Sequence, residues 1–171
     1  MEDNNKYILD ANVFIEAARR YYSFDFGSKF WDFLIEKAQN GILFSIDNVL
    51  KELKKGDKND PLRQWAENSF VKYFLATNND DVIKHYIEVI NFVNNNNHNQ
   101  YTQNAIDDFL KEDNADAWIL AYAKYRNLIV VTHEAFNPNC KKRVLISNIC
   151  KDFNIKYINT FEMLKKLNFK L

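Results

Sequence analysis

Four acidic residues stand out because each lies where a predicted strand ends or near the start of a predicted helix. Asp10 directly follows the apolar run at residues 7–9, and Glu134 follows the apolar, β-branched run "LIVVT". Glu52 borders the apolar stripe of its helix, whereas Asp116 lies in the first turn of an apolar helix face. Crowded carboxylates resist ionisation unless a cation neutralises them, and oxygen-only clusters suit Mg²⁺ or Mn²⁺. The pattern therefore indicates a metal site.

Each acid also has an ordinary structural explanation. Asp10 could start a turn or cap the next helix, and Glu52 could be a solvated helix charge. Asp116 could favour the positive end of its helix, and Glu134 could be an exposed loop acid. The helix that carries Asp116 is predicted to be capped near Asp113 or Asn114, and we interpret Asp113, one turn before Asp116, as an N-cap and not a ligand. The joint occurrence of these acids in separate segments favours a functional interpretation.

The elements that must position these acids alternate along the chain. Apolar strands are predicted at 7–9, 42–45, 128–132 and 155–158, and helical patterns lie between them. Such alternation predicts a parallel sheet that is covered by helices. Ligands bind beyond the carboxyl ends of the strands in such a sheet. The acids should therefore meet at one edge of the sheet.

Length and composition predict a single globular domain over residues 1–171, because the chain has 171 residues of which 47% are hydrophobic. Residues 57–111 have a helical but less regular pattern, and the stretch "NNNNHNQ" at 94–100 is predicted to be a solvated loop. The formal net charge is zero. A strongly basic footprint is thus absent, and nucleic acid could bind only through a local patch.

The sequence predicts a cytoplasmic protein without a membrane segment. Its start, "MEDNNK", lacks the apolar stretch of a signal peptide, and no apolar run approaches the roughly 18 residues of a membrane span. Cys140 and Cys150 form no disulfide framework, so we interpret them as reduced thiols.

Several motifs resemble those of a known family. "YILDANVFI", "VLKELKKG", "ADAWILAYA" and "VVTHE" resemble the successive acidic motifs of the PIN domain. "RRYYSFDF", "FWDFL" and "KYINTFEML" extend the likeness to a bacterial and archaeal PIN-like family of unknown function (DUF4411-like), which is similar to VapC-type toxins. The resemblance spans nearly the whole chain, although residues 57–111 carry little of it. It implies a three-layer α/β/α sandwich around a central parallel sheet of four to five strands.

The resemblance also implies an activity and its residues. The first three acids of the family match Asp10, Glu52 and Asp116, and Glu134 is the candidate for the fourth. The implied function is that of a metal-dependent endoribonuclease that uses Mg²⁺ or Mn²⁺ and leaves 5′-phosphate and 3′-hydroxyl ends. The implied partners are an RNA substrate, a small antitoxin protein if the chain is the toxin of a type II toxin–antitoxin system, and a second copy of the chain in a homodimer.

Other positions are assigned supporting roles. By the same resemblance, Asn12 and Thr132 would orient the carboxylates through hydrogen bonds. Basic residues and one histidine near the acids could hold phosphates, or could be ordinary surface charges. They are Arg19, Arg20, Lys54, Lys55, His133, Lys141, Lys142 and Arg143. Tyr21, Tyr22 and Phe24 could stack on unpaired bases or belong to the core.

Two other hypotheses compete with hydrolysis of RNA. In the first, Asp10 is the nucleophile of a phosphatase-like fold, but that chemistry usually needs a second acid two residues later, where this chain has Asn12. In the second, the chain is a catalytically weak PIN-like module that binds RNA or protein. The retained acids oppose the second hypothesis, because acidic groups repel the phosphates of RNA.

Overall fold

The computed structural model describes residues 5–96 and 99–171, so residues 1–4 of the acidic start and residues 97–98 of the Asn-rich stretch lie outside the described residues. The strands are β1 (Tyr7–Leu9), β2 (Leu43–Ile46), β3 (Phe74–Leu75), β4 (Ile129–Val131) and β5 (Tyr157–Ile158). The helices are α1 (Ala11–Glu16), α2 (Ser28–Gln39), α3 (Asp47–Leu53), α4 (Pro61–Asn68), α5 (Asp80–Asn95), α6 (Gln103–Phe109), α7 (Ala115–Arg126), α8 (Ile146–Asp152) and α9 (Thr160–Lys166).

Within the described ranges, the strands form one five-stranded sheet in the order β3-β2-β1-β4-β5, and every neighbouring pair is parallel. Tyr7 of β1 pairs with Leu43 of β2 on one side and with Ile129 of β4 on the other. This register places the carboxyl ends of β1 and β4 side by side. The prediction of a central parallel sheet with four to five strands is confirmed.

Burial of the strands explains why helices cover both faces of the sheet. Consecutive residues of a strand point to opposite faces, and every residue of β1 and β4 is buried. Helix α7 packs against β1, β2 and β4, while α5 packs on the outside of α7. The result is the three-layer α/β/α arrangement that the sequence pattern predicts.

Several helix ends follow directly from local sequence. Asn159 and Glu162 form a reciprocal capping box at the start of α9, as their spacing predicts. Asn127 ends α7 in the left-handed conformation, with φ of 53°. Gly41, which has φ of 68°, lies in the turn that leads from α2 into β2.

The segment 57–111 contains more than helices. It holds α4, α5 and α6, but also β3, which pairs with β2 through Ser45 and Phe74. The sequence pattern does not predict this strand, because β3 has only two residues and no alternation can be recognised over so short a length.

Candidate active site

The first site residue, Asp10, lies between the end of β1 and the start of α1. Its backbone N–H donates to the carbonyl oxygen of Val131 at 3.1 Å, which continues the pairing with β4. Although Asp10 occupies the N-cap position of α1, its side chain makes no capping hydrogen bond. The side chain instead accepts a hydrogen bond at Oδ2 from Thr132 Oγ1 at 3.1 Å, and Asp10 is 2% exposed. A buried carboxylate without a capping role has no evident structural purpose.

Two more acids share a pocket with Asp10. The pocket has a volume of about 580 Å³ and is lined by Asp10, Glu52 and Asp116, and we call it the acidic pocket. Glu52 reaches it from α3 and Asp116 from the first turn of α7. The N-cap of α7 is Asn114, whose Oδ1 accepts a hydrogen bond from the Asp116 N–H at 2.9 Å.

The fourth acid, Glu134, lies next to this group but is held differently. Its carboxylate accepts hydrogen bonds from the Ile146 N–H at 2.6 Å and from the Arg143 guanidinium. Its own N–H donates to Thr132 Oγ1 at 3.2 Å. Thr132 therefore contacts both Asp10 and Glu134, whose charge is close enough to act on Asp10.

Burial and mutual repulsion raise the pKa values of the acids in the pocket. Burial, with the nearby charge of Glu134, raises the pKa of Asp10 to about 7, and the hydrogen bond from Thr132 opposes this shift. Burial, with the charges of Asp10 and Glu134, raises the pKa of Asp116, while Arg143 opposes the rise. Burial also raises the pKa of Glu52, against the effect of Lys55. An added cation would favour the ionised form of each.

The donor set of this pocket suits a hard divalent cation, because it consists of carboxylate oxygens. In the described residues, however, no three His, Cys, Asp or Glu side chains already form a group that could hold a metal ion. The carboxylates of Asp10, Glu52 and Asp116 fit such an ion by their chemistry.

A second pocket adjoins the first. It has a volume of about 560 Å³, is lined by Tyr21, His133 and Glu134 among others, and is called here the aromatic pocket. Asn12 and Arg143 line both pockets and therefore lie at their boundary. The imidazole of His133 contacts Thr160 Oγ1 through Nε2 at 3.0 Å, and burial lowers the pKa of His133.

The predicted phosphate-binding residues divide into three groups. Lys55, Lys142 and Arg143 line the acidic pocket, and Arg20 and His133 line the aromatic pocket together with Arg143. Lys54 instead pairs with Glu67 at 3.3 Å, outside both pockets. Arg19 and Lys141 are exposed and line neither pocket.

The structure corrects the interpretation of Asp113. Of the two N-cap candidates, Asn114 and not Asp113 caps α7. The Asp113 carboxylate accepts a hydrogen bond from Lys55 Nζ at 2.8 Å. Asp113 nevertheless lines the acidic pocket.

Some residues at the site were not found from sequence. Lys111 and Asp108 line the acidic pocket from the end of the segment 57–111, where the family resemblance is weakest. Their position just before Asp116 in "DDFLKEDNAD" is the signal that could have indicated them. Of the three aromatic residues proposed to stack on bases, Tyr22 and Phe24 pack against Phe30 and Trp31, with ring centroids 4.4 and 4.2 Å apart.

Comparison with known proteins identifies the family. The model of a domain of unknown function, DUF4411, matches residues 7–171, and the chain belongs to this family. The fold is similar to that of a chain in the crystal structure of VapBC2 from Rickettsia felis bound to a DNA fragment from their promoter, with a TM-score of 0.52 and 18% identity. That match covers 90% of this chain and 97% of the other. The fold is thus PIN-like, of the VapC type.

A chain of FitAcB from Neisseria gonorrhoeae is also similar, with 21% identity and a TM-score of 0.47, over 77% of this chain and 97% of the other. At that level of similarity the match adds nothing to the argument. No curated protein matches the sequence. Within residues 5–96 and 99–171, no helix is long and apolar enough to cross a membrane.

Proposed function

We propose that the protein is a metal-dependent endoribonuclease that hydrolyses RNA phosphodiesters. The observation that carries the proposal is that Asp10, which is 2% exposed, lines one pocket with the partly buried Asp116 and Glu52, at the ligand-binding edge of a parallel sheet. Burial and the charges of neighbouring carboxylates raise the pKa values of Asp10 and Asp116. Such a cluster is costly for the fold, and catalysis is a reason to retain it.

Each residue has a role in this mechanism. Asp10, Glu52 and Asp116 would hold Mg²⁺ or Mn²⁺, which activates water and stabilises charge on the scissile phosphate. Thr132 fixes the orientation of Asp10 through its hydroxyl group. Glu134 accepts a hydrogen bond from Arg143 and would complete the set of acids if it bound the ion instead.

The substrate has to bring its phosphates to this acidic group. Lys55, Lys142 and Arg143 line the same pocket and supply positive charge around the carboxylates. Arg143 has a side chain that is 58% exposed, so its guanidinium can contact a phosphate as well as Glu134. No side-chain nucleophile is needed, because water is the nucleophile in metal-assisted hydrolysis.

The proposal is tested by cleavage of single-stranded RNA in the presence of Mn²⁺. Asp10→Asn should lower the rate at least about 100-fold, because several kcal/mol of stabilisation depend on the ion that this carboxylate holds. Glu67→Gln is the matched control, since Glu67 is an acid of α4 paired with Lys54 outside the pocket. Equal cleavage by Asp10→Asn and the wild type would falsify the proposal.

We also propose that the protein is the toxin of a type II toxin–antitoxin system. The support is the PIN-like fold, which this chain shares with a chain of the VapBC2 complex. A small antitoxin would cover the acidic pocket and inhibit cleavage, and a homodimer is the expected state of the chain alone. Expression of the wild type should arrest bacterial growth, whereas expression of Asp10→Asn should not.

A second candidate function is that of a catalytically weak module that binds RNA or protein. The observation that favours it is the pairing of Glu134 with Arg143, together with the lack of a preformed metal-binding group among the described residues. The two candidates differ in their response to metal. Calorimetry that detects no binding of Mn²⁺ to the wild type would favour the binding module.

A further inference from the structure

Three aromatic rings from distant parts of the chain meet beside the aromatic pocket. Tyr21 lies at the end of a π-helical segment, Ala17–Tyr21, His133 follows β4, and Phe161 lies in the first turn of α9. The ring centroids of Tyr21 and Phe161 are 5.1 Å apart, and that of His133 is 6.2 Å from each. Residues from three segments thus form one aromatic cluster.

This cluster faces solvent. Tyr21 is 42% exposed and Phe161 is 46% exposed, although aromatic residues of this size are usually buried when they have neighbours to pack against. Tyr22, the next residue along the chain, stacks on Phe30, with ring centroids 4.4 Å apart. Unlike Tyr22, the rings of Tyr21 and Phe161 therefore form apolar surface that the fold leaves accessible.

Local structure holds the cluster in place. Thr160, which is 2% exposed, contacts His133 Nε2 through its hydroxyl at 3.0 Å. The next residue is Phe161, and the capping box between Asn159 and Glu162 fixes the turn that carries it. A rigid aromatic surface loses little conformational entropy when it binds a ligand.

The cluster is continuous with the proposed active site. Tyr21 and His133 line the aromatic pocket, which shares Asn12 and Arg143 with the acidic pocket. Arg20 lines the same pocket, where it pairs with Glu16 at 3.1 Å, and its side chain is 68% exposed. Aromatic rings for stacking and arginines for phosphates are the combination that proteins use to bind single-stranded nucleic acid.

We propose that Tyr21, His133 and Phe161 form a stacking subsite for an unpaired base of single-stranded RNA, next to the phosphate that is cleaved. This inference rests on the proposed function, and it names the substrate class. Arg20 and Arg143 pair with Glu16 and Glu134, but their side chains are 68% and 58% exposed. They favour RNA over an apolar peptide, because an exposed guanidinium group can contact a phosphate as well as its carboxylate partner. Stacking tolerates any base, so the subsite selects unpaired RNA without selecting its sequence.

The inference is tested by fluorescence anisotropy with a labelled single-stranded RNA of eight nucleotides in Mg²⁺. The full chain carries Asp10→Asn, so that RNA is not consumed. Adding Phe161→Ala, Phe161→Leu or Tyr21→Ala should raise Kd about 5- to 100-fold, whereas Tyr21→Phe keeps the ring and should retain affinity. Phe26→Ala is the matched control, because Phe26 is 75% exposed and lines neither pocket.

A scan with abasic RNAs then separates stacking from a general loss of binding. Each RNA of the series lacks one base, and at one position the effect of Phe161→Ala should disappear, because no base remains to stack on the ring. The inference is wrong if Phe161→Ala binds RNA like its parent, or if its effect is the same at every abasic position. An effect as large from Phe26→Ala would also overturn it.

Two further readouts distinguish the possible failures. If the wild type cleaves RNA and Phe161→Ala in the wild-type background binds and cleaves equally well, the subsite is rejected and the nuclease function stands. If the wild type neither binds nor cleaves RNA, both proposals fail. If light scattering shows that Phe161→Ala converts a dimer to a monomer while RNA affinity is unchanged, the rings belong to a contact between two chains.

Discussion

Acidic residues occur in two contrasting surroundings in this protein. In the acidic pocket, Asp10 is buried and Asp116 is partly buried, and the loss of solvation raises their pKa values. On the outer side of α4, Glu67 pairs with Lys54 and Arg63, both at 3.3 Å, and these cations lower its pKa. The charged form of a carboxylate is thus destabilised in the acidic pocket and stabilised at Glu67.

The contrast supports the proposed role of the acids in the pocket. A surface carboxylate with a cation beside it gains a small stabilisation and needs no other explanation. A buried carboxylate next to other carboxylates opposes folding, so the fold would be more stable with a neutral residue there. The acidic pocket therefore has the stability cost expected of a site that is completed by a bound cation.

Addition of metal should give the largest effect. In a chelated sample, Mn²⁺ at 100 times its Kd should stabilise the wild type by about 2.7 kcal/mol and raise Tm by about 5–10 °C. The double variant with Asp10→Asn and Asp116→Asn should show no shift, and Glu67→Gln should match the wild type. The measurement is thermal unfolding followed by circular dichroism, and an equal shift in the double variant would contradict the assignment.

The second-largest effect should be that of Asp10→Asn on the free energy of unfolding of the protein without metal. A pKa of about 7 for Asp10, against an ordinary 3.8, corresponds to about 4 kcal/mol at most, and relaxation of the site reduces this. Asp10→Asn should therefore raise the free energy of unfolding in EDTA at pH 8 by about 1–3 kcal/mol, because it removes a buried charge. Urea denaturation measures the change, and a destabilised variant would show that Asp10 has a structural role.

The difference in stability between the wild type and Asp10→Asn should depend on pH, because the pKa of Asp10 is raised. Near pH 4 the group is protonated in the native state, whereas its unfolded form, with the ordinary pKa of 3.8, is already about half ionised. Between about pH 4 and 7 the native state binds more protons than the unfolded state, so stability from this group falls as pH rises. The advantage of Asp10→Asn over the wild type should thus grow from pH 5 to pH 8, by about 1–2 kcal/mol. Urea denaturation in EDTA at both values checks this, and a constant difference would refute it.

Sequence alone located the parts of the site that depend on local pattern. The run at residues 7–9 identified β1, and the helical spacing after it placed Asp10 at the strand end. The alternation of strands and helices predicted that the carboxyl ends of β1 and β4 lie at the same edge of the sheet. The structure adds that the two strands pair, which brings Thr132 to Asp10. The capping box of α9 was visible from the spacing of two residues.

The remaining features depend on contacts between distant segments. The bond of the Ile146 N–H to Glu134 and the approach of Phe161 to Tyr21 join residues whose spacing carries no periodic signal. Neutralisation of Glu134 by Arg143 likewise depends on how the loop between β4 and α8 folds back. Sequence indicated Glu134, Arg143 and Tyr21 as candidate residues of the site, but only the structure shows that Ile146 and Phe161 contact two of them.

The smallest effect should come from the surface acid. Glu67→Gln removes a carboxylate whose pKa is lowered by Lys54 and Arg63, but the group is solvent-exposed, so screening leaves little net stabilisation. At pH 8 its Tm in EDTA should equal that of the wild type or lie slightly below it. The stability that Glu67 contributes changes with pH in the opposite direction to that of Asp10. A carboxylate with a lowered pKa stabilises the native state at neutral pH, and this stabilisation is lost as the pH falls towards the pKa. Melts of both variants from pH 4 to pH 8 compare the two signs directly. If Glu67→Gln instead stabilised the protein increasingly towards pH 8, as Asp10→Asn is expected to, the two surroundings would not differ in the way that the structure indicates.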